Sequence, residues 1–160
     1  MKESTQQSLD ILSGGINAEL AAYVFYKRAA EKIDNDKYVD MFEKLAGEEK
    51  DHYWTLEAEY DHLVRSEKWV TYNDLMRKSG LPEVPEEMAE THKRRIDKLE
   101  TVTEIDKILQ LALELERDAH DYYSSQIDKV DDPVAREMLD YLSKFELGHV
   151  KLIEKWIREL

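Results

Sequence analysis

Glu49-Lys50-Asp51-His52 lies within a segment whose inward positions recur at alternating spacings of four and three residues. The positions of this series are Tyr38, Phe42, Leu45, Glu49, His52, Leu56, Glu59 and Leu63. Such spacing is typical of the buried face of a helix in a bundle. Because residues three apart project from one face, Glu49 and His52 are predicted to point together into the core. Oxygen and nitrogen ligands in a place that favours apolar side chains indicate a metal site.

A second copy of this motif, Glu146-Leu147-Gly148-His149, lies 97 residues later (146 − 49 = 97). Its series is equally regular and runs through Ala135, Leu139, Leu142, Glu146, His149, Ile153, Trp156 and Leu160. At the same offset, Glu19 matches Glu116 and Tyr26 matches Tyr123. The sequence therefore predicts an internal duplication of a helical hairpin, in which each copy carries a Glu, a Tyr seven residues later and a Glu-x-x-His motif.

Periodicity and capping residues place the two helices of the first copy. The first predicted helix covers about 8–33, and the second runs from a cap at Asn35 or Asp36 to about His62. Within the first helix, each residue of the pair Gly14-Gly15 costs about 1 kcal/mol of helix stability relative to Ala. We therefore expect a bend or close packing at this pair.

Residues 63–102 have no duplicate and are the least regular part of the chain. A connection of this length carries the chain along the bundle, so that the second hairpin starts parallel to the second helix. Its basic patch, His92–Arg95, is interpreted as a solvated loop against an acidic surface rather than as a site for an anionic partner. The third helix is predicted to follow an N-cap at Thr103, and the fourth to follow the pair Asp132-Pro133.

These elements predict an all-α fold, an up-down four-helix bundle formed by a single domain over residues 1–160. The net charge of −13 argues against nucleic acid or an anionic membrane as the main partner. No apolar run approaches the roughly 18 residues of a membrane span, and the first residues are too polar for a secretory signal. The absence of cysteine excludes thiolate catalysis, disulfides and iron–sulfur centres on this chain. We expect a cytoplasmic protein.

Folding the two hairpins together brings six side chains to one level of the interior: Glu19, Glu49, His52, Glu116, Glu146 and His149. Four buried ionised carboxylates cost several kcal/mol per charge, and two divalent cations would cancel their charges. Carboxylate oxygens with one imidazole per ion suit iron or manganese, and zinc is also compatible.

This constellation resembles the ferritin-like superfamily and, within it, the rubrerythrin-type di-iron proteins. The resemblance covers nearly the whole chain and rests on the two Glu–Tyr pairs, the two Glu-x-x-His motifs and the long connection between the hairpins. It implies that Glu49 and Glu146 bridge two iron ions, that Glu19 and Glu116 are terminal carboxylate ligands, and that the remaining ligands are His52 and His149.

The same resemblance implies that Tyr26 and Tyr123 lie behind the ligands and hydrogen-bond to ligating carboxylates. The chain departs from rubrerythrins at Ala119, where they carry an additional ligating Glu, and it has no cysteine with which to build their rubredoxin domain. The redox-dependent ligand exchange supported by that Glu is therefore not expected here.

The resemblance implies reduction of hydrogen peroxide or O2, with electrons from an external donor such as a rubredoxin-like protein. Two alternatives remain open: a ferroxidase that handles iron for storage or delivery, and a metal-binding bundle without redox activity. A homodimer is possible.

Other titratable residues are interpreted as lying outside the site. His120, one turn from Glu116, is expected to be a hydrogen-bonded core histidine rather than a ligand or proton relay. Glu59 is expected to be solvated near the end of the bundle. Surface positions are predicted for Glu48, Glu114, His62 and His92.

Overall fold

Long helices account for most of the chain in the computed structural model, which describes residues 3–66, 68–69 and 90–160. The elements are α1 (Glu3–Lys32), α2 (Asp36–Ser66), α3 (Glu90–Glu100), α4 (Ile105–Gln126), a 3-10 turn (Ile127–Lys129) and α5 (Pro133–Arg158). The described ranges contain no strand. The all-α prediction is therefore confirmed. None of the described helices is both long and apolar enough to cross a lipid bilayer.

The helices pack as two pairs, α1 with α2 and α4 with α5, and α1 also contacts α4 and α3. Short connections fold α2 back along α1 and α5 back along α4. The predicted caps at two of these starts are confirmed. Asn35 Oδ1 accepts the Lys37 N–H at 3.0 Å, and Asp132 Oδ1 accepts the Val134 N–H at 2.8 Å.

The predicted cap at Thr103 is wrong. The N-cap of α4 is Glu104, whose side chain makes no capping hydrogen bond. Its carbonyl accepts the first helical hydrogen bond, from the Ile108 N–H at 3.1 Å. Likewise, α2 continues to Ser66, one turn beyond the predicted end at His62.

The basic patch lies on the helix α3 rather than in a loop, so that part of the interpretation is wrong. The guanidinium of Arg95 pairs with the carboxylate of Asp118 on α4, which agrees with the expected acidic surface. The Lys32 ammonium donates to the Leu99 and Glu100 carbonyls at 2.8 and 2.9 Å. These contacts hold the end of α3 against the end of α1. The rest of the predicted crossover, residues 67 and 70–89, lies outside the described residues.

Two apolar clusters fill the interior and are separated along the bundle by a polar layer. Along α1, for example, Leu12 belongs to one cluster and Tyr26 to the other, and Glu19 lies between them in sequence. The pair Gly14-Gly15 is closely packed, which confirms one of the two alternatives predicted for it, a bend or close packing. A Cβ on Gly14 would lie 2.1 Å from the Tyr122 hydroxyl oxygen, and one on Gly15 would lie 3.1 Å from Leu56 Cδ1.

Candidate metal centre

The polar layer brings together all six side chains that the sequence singled out, and each is at most 4% exposed. Each of the four long helices contributes to this layer, because the polar residues occupy positions of the same four-and-three series that bury the apolar ones. The contributors are Glu19 from α1, Glu49 and His52 from α2, Glu116 from α4, and Glu146 and His149 from α5.

The layer divides into two overlapping groups of ligand atoms. Within each group, one atom from every residue lies within 4.8 Å of the others. Glu49 and Glu146 belong to both groups. The first group adds Glu19 and His52, and the second adds Glu116 and His149. Two carboxylates are therefore shared between two sets of possible metal ligands.

Each imidazole directs its Nδ1 atom toward the carboxylates. His149 Nδ1 lies 2.9 Å from Glu49 Oε1, 3.2 Å from Glu116 Oε1 and 3.3 Å from Glu146 Oε2. His52 Nδ1 lies farther out, 3.6 Å from Glu146 Oε1 and 3.7 Å from Glu19 Oε2. Both rings therefore present the same nitrogen to the interior of the layer.

Two buried tyrosines hydrogen-bond reciprocally between the helix pairs. The Tyr26 hydroxyl donates to Glu116 Oε1 at 2.6 Å, and the Tyr123 hydroxyl donates to Glu19 Oε1 at 2.7 Å. Burial and the nearby carboxylates raise the pKa of both tyrosines well above their ordinary value. Both therefore keep their protons at neutral pH and act as donors that fix one oxygen of each carboxylate.

Protons balance the charge of the metal-free layer. Burial and the adjacent carboxylates raise the pKa of Glu49 and Glu146 well above the ordinary value. Burial opposes ionisation of Glu19 as well, but a hydrogen bond with Glu49 and the charge of His52 outweigh it and lower its pKa to about 2. Burial disfavours the charged form of His52, yet Glu19 and Glu146 raise its pKa to about 10.

For Glu116 and His149 too, hydrogen bonds within the layer outweigh the effect of burial on the pKa. Burial of Glu116 is outweighed by its hydrogen bonds with His149 and Glu146, and the pKa of Glu116 is lowered. Burial of His149 is outweighed by its hydrogen bonds to the surrounding carboxylates, and the pKa of His149 is raised. In the metal-free layer, the shared carboxyl groups of Glu49 and Glu146 therefore favour the protonated form, those of Glu19 and Glu116 favour the ionised form, and both imidazoles favour the charged form.

The donor atoms of this layer fit divalent cations. With the carboxyl groups ionised, several buried atoms have no hydrogen-bond donor in the described part of the chain, and leaving such atoms unsatisfied costs about 1–3 kcal/mol each. Those in the layer are Glu19 Oε2, Glu49 Oε2, His52 Nδ1, Glu116 Oε2 and both Glu146 oxygens. All of them belong to residues of the two overlapping groups, which are therefore the residues that would hold cations in this layer.

Glu48 is a residue of this site that the sequence analysis placed on the surface. Its Oε2 lies 2.8 Å from His149 Nε2, and its side chain is 34% exposed. This hydrogen bond lowers the pKa of Glu48. The 97-residue repeat gives no signal for the contact because the duplicate of Glu48 is Phe145. The ring of Phe145 contacts that of His52 edge-on, with centroids 4.2 Å apart.

The surface positions predicted for His62 and His92 are wrong, whereas the prediction for His120 and the surface position of Glu114 are confirmed. His62 is half-buried, and its Nδ1 donates to the Lys68 carbonyl at 2.5 Å. His92 is half-buried, and its burial lowers its pKa. His120 is hydrogen-bonded as expected, through Nδ1 to the Ser143 carbonyl at 2.8 Å, and Glu114 is exposed.

Glu59 is fully buried rather than solvated. It belongs to the same series as Leu56 and Leu63, which are also buried. The prediction placed this turn beyond the packed part of the bundle, whereas α2 remains packed through it.

Comparison with known proteins supports the fold. No family model matches the sequence, and no curated protein matches it. Among solved structures, a hypothetical protein from Pyrococcus furiosus is similar, with a TM-score of 0.66 over 94% of this chain and 88% of that chain, at 22% identity. At this identity the likeness concerns the fold alone. Fold and site thus define a class, an all-α helical bundle whose buried Glu and His side chains can hold metal ions.

Proposed function

We propose that this chain is a ferritin-like di-iron carboxylate protein that reduces hydrogen peroxide, or O2, with electrons from an external donor such as a rubredoxin-like protein. The observation that carries the proposal is the pair of overlapping carboxylate–imidazole groups sharing Glu49 and Glu146. Four carboxylates facing one another in a buried layer are costly unless cations occupy it. A Glu from each of two helices and a Glu-x-x-His motif from each of the other two is the ligand pattern of ferritin-like di-iron and di-manganese bundles.

The arrangement of two duplicated hairpins is part of this proposal. Its support is the reciprocity of the tyrosine contacts. Tyr26 of the first copy binds Glu116 of the second, and Tyr123 of the second copy binds Glu19 of the first. Residues related by the 97-residue offset therefore make equivalent contacts, as expected if the two copies face each other about an approximate twofold axis.

In this proposal, Glu49 and Glu146 hold both ions, Glu19 and His52 complete one set, and Glu116 and His149 complete the other. Manganese and zinc suit the same donors, and iron is proposed because the resemblance to rubrerythrin-type proteins implies it. A pair of ferrous ions supplies two electrons when bound, the number that reduces one hydrogen peroxide, with two protons, to two waters.

The contribution of the protein is to orient the ligands and exclude bulk water. Tyr26 and Tyr123 each fix one oxygen of a carboxylate, and their raised pKa values keep them as neutral donors. Hydrogen bonds to ligating carboxylates set the orientation and charge of the ligands. The apolar clusters on both sides of the layer separate it from solvent along the bundle.

The test is anaerobic loading with Fe(II), followed by rapid mixing with hydrogen peroxide or with O2. The near-ultraviolet absorption of carboxylate-bound ferric ions reports the oxidation. We expect saturation at one peroxide per two irons in the wild type and loss of the fast phase in Glu146→Gln. The exposed Glu114 provides a matched control, since Glu114→Gln should behave as wild type. Indifference of the wild-type protein to both oxidants would remove redox chemistry from the proposal.

The same preparation separates the two alternatives. An iron-storing ferroxidase requires a large hollow shell, so that a monomer or dimer in size-exclusion chromatography with light scattering excludes storage. A non-redox bundle would carry zinc, or no metal, when purified without added metal. Metal analysis of such protein distinguishes this outcome from a bound iron pair.

A further inference from the structure

The two imidazoles of the metal centre have different neighbours on their outer sides. His149 Nε2 lies 2.8 Å from Glu48 Oε2. Phe145 contacts both rings edge-on, with its centroid 4.2 Å from that of His52 and 4.8 Å from that of His149. In the described chain, His52 pairs with no carboxylate other than those of Glu19, Glu49 and Glu146. Glu48 and Phe145 occupy equivalent positions in the two copies, because they are related by the same 97-residue offset. The duplicated layer is therefore asymmetric in what holds each histidine in place.

The contact of His149 Nε2 with Glu48 determines which nitrogen of the ring is available to a cation. A neutral imidazole has one N–H donor and one nitrogen lone pair, and the hydrogen bond made by one nitrogen decides which is which. Glu48 accepts from Nε2–H. In the metal-free protein the charged ring also donates from Nδ1, which lies 2.9–3.3 Å from oxygens of Glu49, Glu116 and Glu146. When the ring binds a cation as a neutral ligand, Glu48 keeps the proton on Nε2, and the lone pair is on Nδ1. A carboxylate in this place also raises the basicity of the coordinating nitrogen.

His52 has an apolar neighbour in the equivalent place. The edge-on ring of Phe145 fills space beside the imidazole but offers no carboxylate oxygen to its N–H. The Nδ1 atom of His52 also lies farther from the carboxylates, at 3.6–3.8 Å. Within the described residues, the half of the centre that contains His52 therefore has no counterpart of the charged acceptor beside His149.

We propose that Glu48 is a positioning residue that fixes the tautomer and orientation of His149 and makes the His149 half of the centre the tighter of two unequal metal positions. This inference rests on the proposed metal centre but not on its redox activity. Glu48 touches His149 and no other ligand in the contacts of the described chain, so that its loss should weaken one of two binding steps. Removing such an outer hydrogen-bond partner typically lowers metal affinity about 10- to 100-fold.

The experiment is calorimetric titration of metal-free protein with Co²⁺, which requires no oxidant or electron donor. Four proteins are compared: wild type, Glu48→Gln, Glu48→Ala and Glu43→Ala. The amide oxygen of Gln can still accept from Nε2–H, whereas Ala removes the acceptor. Glu43 is an exposed carboxylate on the same helix, so that its substitution makes the same charge change without the contact.

We expect two separable steps in the wild type, the tighter of which weakens about 10- to 100-fold in Glu48→Ala and less in Glu48→Gln. A second measurement reads the tautomer directly, from imidazole ¹⁵N shifts of zinc-loaded protein. One histidine should show a single Nε2–H tautomer whose proton exchanges slowly in the wild type and rapidly in Glu48→Ala.

Two results overturn the inference while the metal centre stands. One is an unchanged tighter step in Glu48→Ala, and the other is an equal loss in Glu43→Ala, which would indicate a general charge effect. If the wild-type protein binds no metal in this titration, the proposed metal centre fails and the inference fails with it.

Discussion

At the scale of single residues, substitution of the buried tyrosines tests whether their hydrogen bonds orient the carboxylates for metal binding. Tyr123→Phe removes the donor that lies 2.7 Å from Glu19 Oε1. Because the acceptor is charged, we expect a loss of about 1.5–3 kcal/mol of unfolding free energy in the metal-free protein, and a metal affinity about tenfold lower. Urea unfolding and Co²⁺ titration measure the two quantities.

The neighbouring Tyr122 provides the control for this substitution. Its hydroxyl donates to the Ile11 carbonyl at 2.6 Å, outside the metal centre. Tyr122→Phe should therefore lower the unfolding free energy by about 0.5–1.5 kcal/mol and leave metal affinity unchanged. Equal effects of both substitutions on metal affinity would show that the Tyr123 hydroxyl contributes packing rather than ligand orientation.

Glu49 gives a residue-scale prediction in which stability and binding change in opposite directions. Burial and neighbouring carboxylates raise its pKa, so that the metal-free fold needs a proton that the unfolded chain has released by pH 8. Each pKa unit of such a shift costs about 1.4 kcal/mol. Glu49→Gln needs no proton, and we expect it to stabilise the metal-free protein at pH 8 while abolishing paired metal binding. A lower unfolding free energy of metal-free Glu49→Gln at pH 8, with that of the exposed control Glu43→Gln unchanged, would contradict this account.

At the scale of the helices, the glycines separate into two kinds. Gly47 of α2 and Gly148 of α5 are exposed, and a Cβ at either would meet nothing within 4 Å. Helix propensity alone then decides the effect, and each Gly→Ala substitution should raise the unfolding free energy by about 0.5–1 kcal/mol. Gly14→Ala should instead lower it by about 1–3 kcal/mol, since its Cβ would lie 2.1 Å from the Tyr122 hydroxyl oxygen. Thermal unfolding of the three variants checks the signs, and a stabilised Gly14→Ala would show that Tyr122 moves away at little cost.

The helices and the six clustered side chains were predictable because one signal specifies both. A four-and-three series identifies a buried helix face, and Glu49 and His52 occupy that series in place of apolar residues. Repetition at a fixed offset then relates the two halves. The same reasoning predicted the close approach at Gly14-Gly15, because two glycines inside a helix need a packing reason.

What the sequence did not reveal depends on contacts between elements. Glu48 lies outside the series, and its duplicate is Phe145, so that neither periodicity nor repetition marks its contact with His149. Glu59 lies on the series, but its burial depends on how far α2 remains packed. The helix α3 has no duplicate in the other half of the chain. Its contact with α4, between Arg95 and Asp118, joins residues that no local sequence pattern relates.

At the scale of the whole molecule, we expect the proposed metal centre to exchange protons for cations. In the metal-free fold, two ionised carboxylates are balanced by two charged imidazoles, and the other two carboxyl groups keep protons. Two divalent cations would balance four ionised carboxylates beside two neutral imidazoles. Loading should therefore release about four protons near neutral pH, since ligands bind metals in their deprotonated forms. Calorimetry in buffers of different ionisation enthalpy measures this number, and a release near zero would contradict the exchange.

This exchange makes the stability of the metal-free and metal-loaded protein depend on pH in different ways. The pKa of His52 is raised from 6.5 to about 10, so that its contribution is complete below pH 6.5 and is lost as pH rises through about 10. Glu49 and Glu146 act in the same direction, while the contribution of Glu19, whose pKa is lowered from 4.5 to about 2, is present above pH 4.5 and lost only in acid.

The metal-free protein should therefore lose unfolding free energy between pH 6.5 and 10, whereas metal binding strengthens as the competing protons leave. Thermal unfolding with a chelator and with saturating Mn²⁺ should show a stabilisation by metal that grows from pH 6 to pH 8. A stabilisation independent of pH over this range would mean that the cations do not replace these protons.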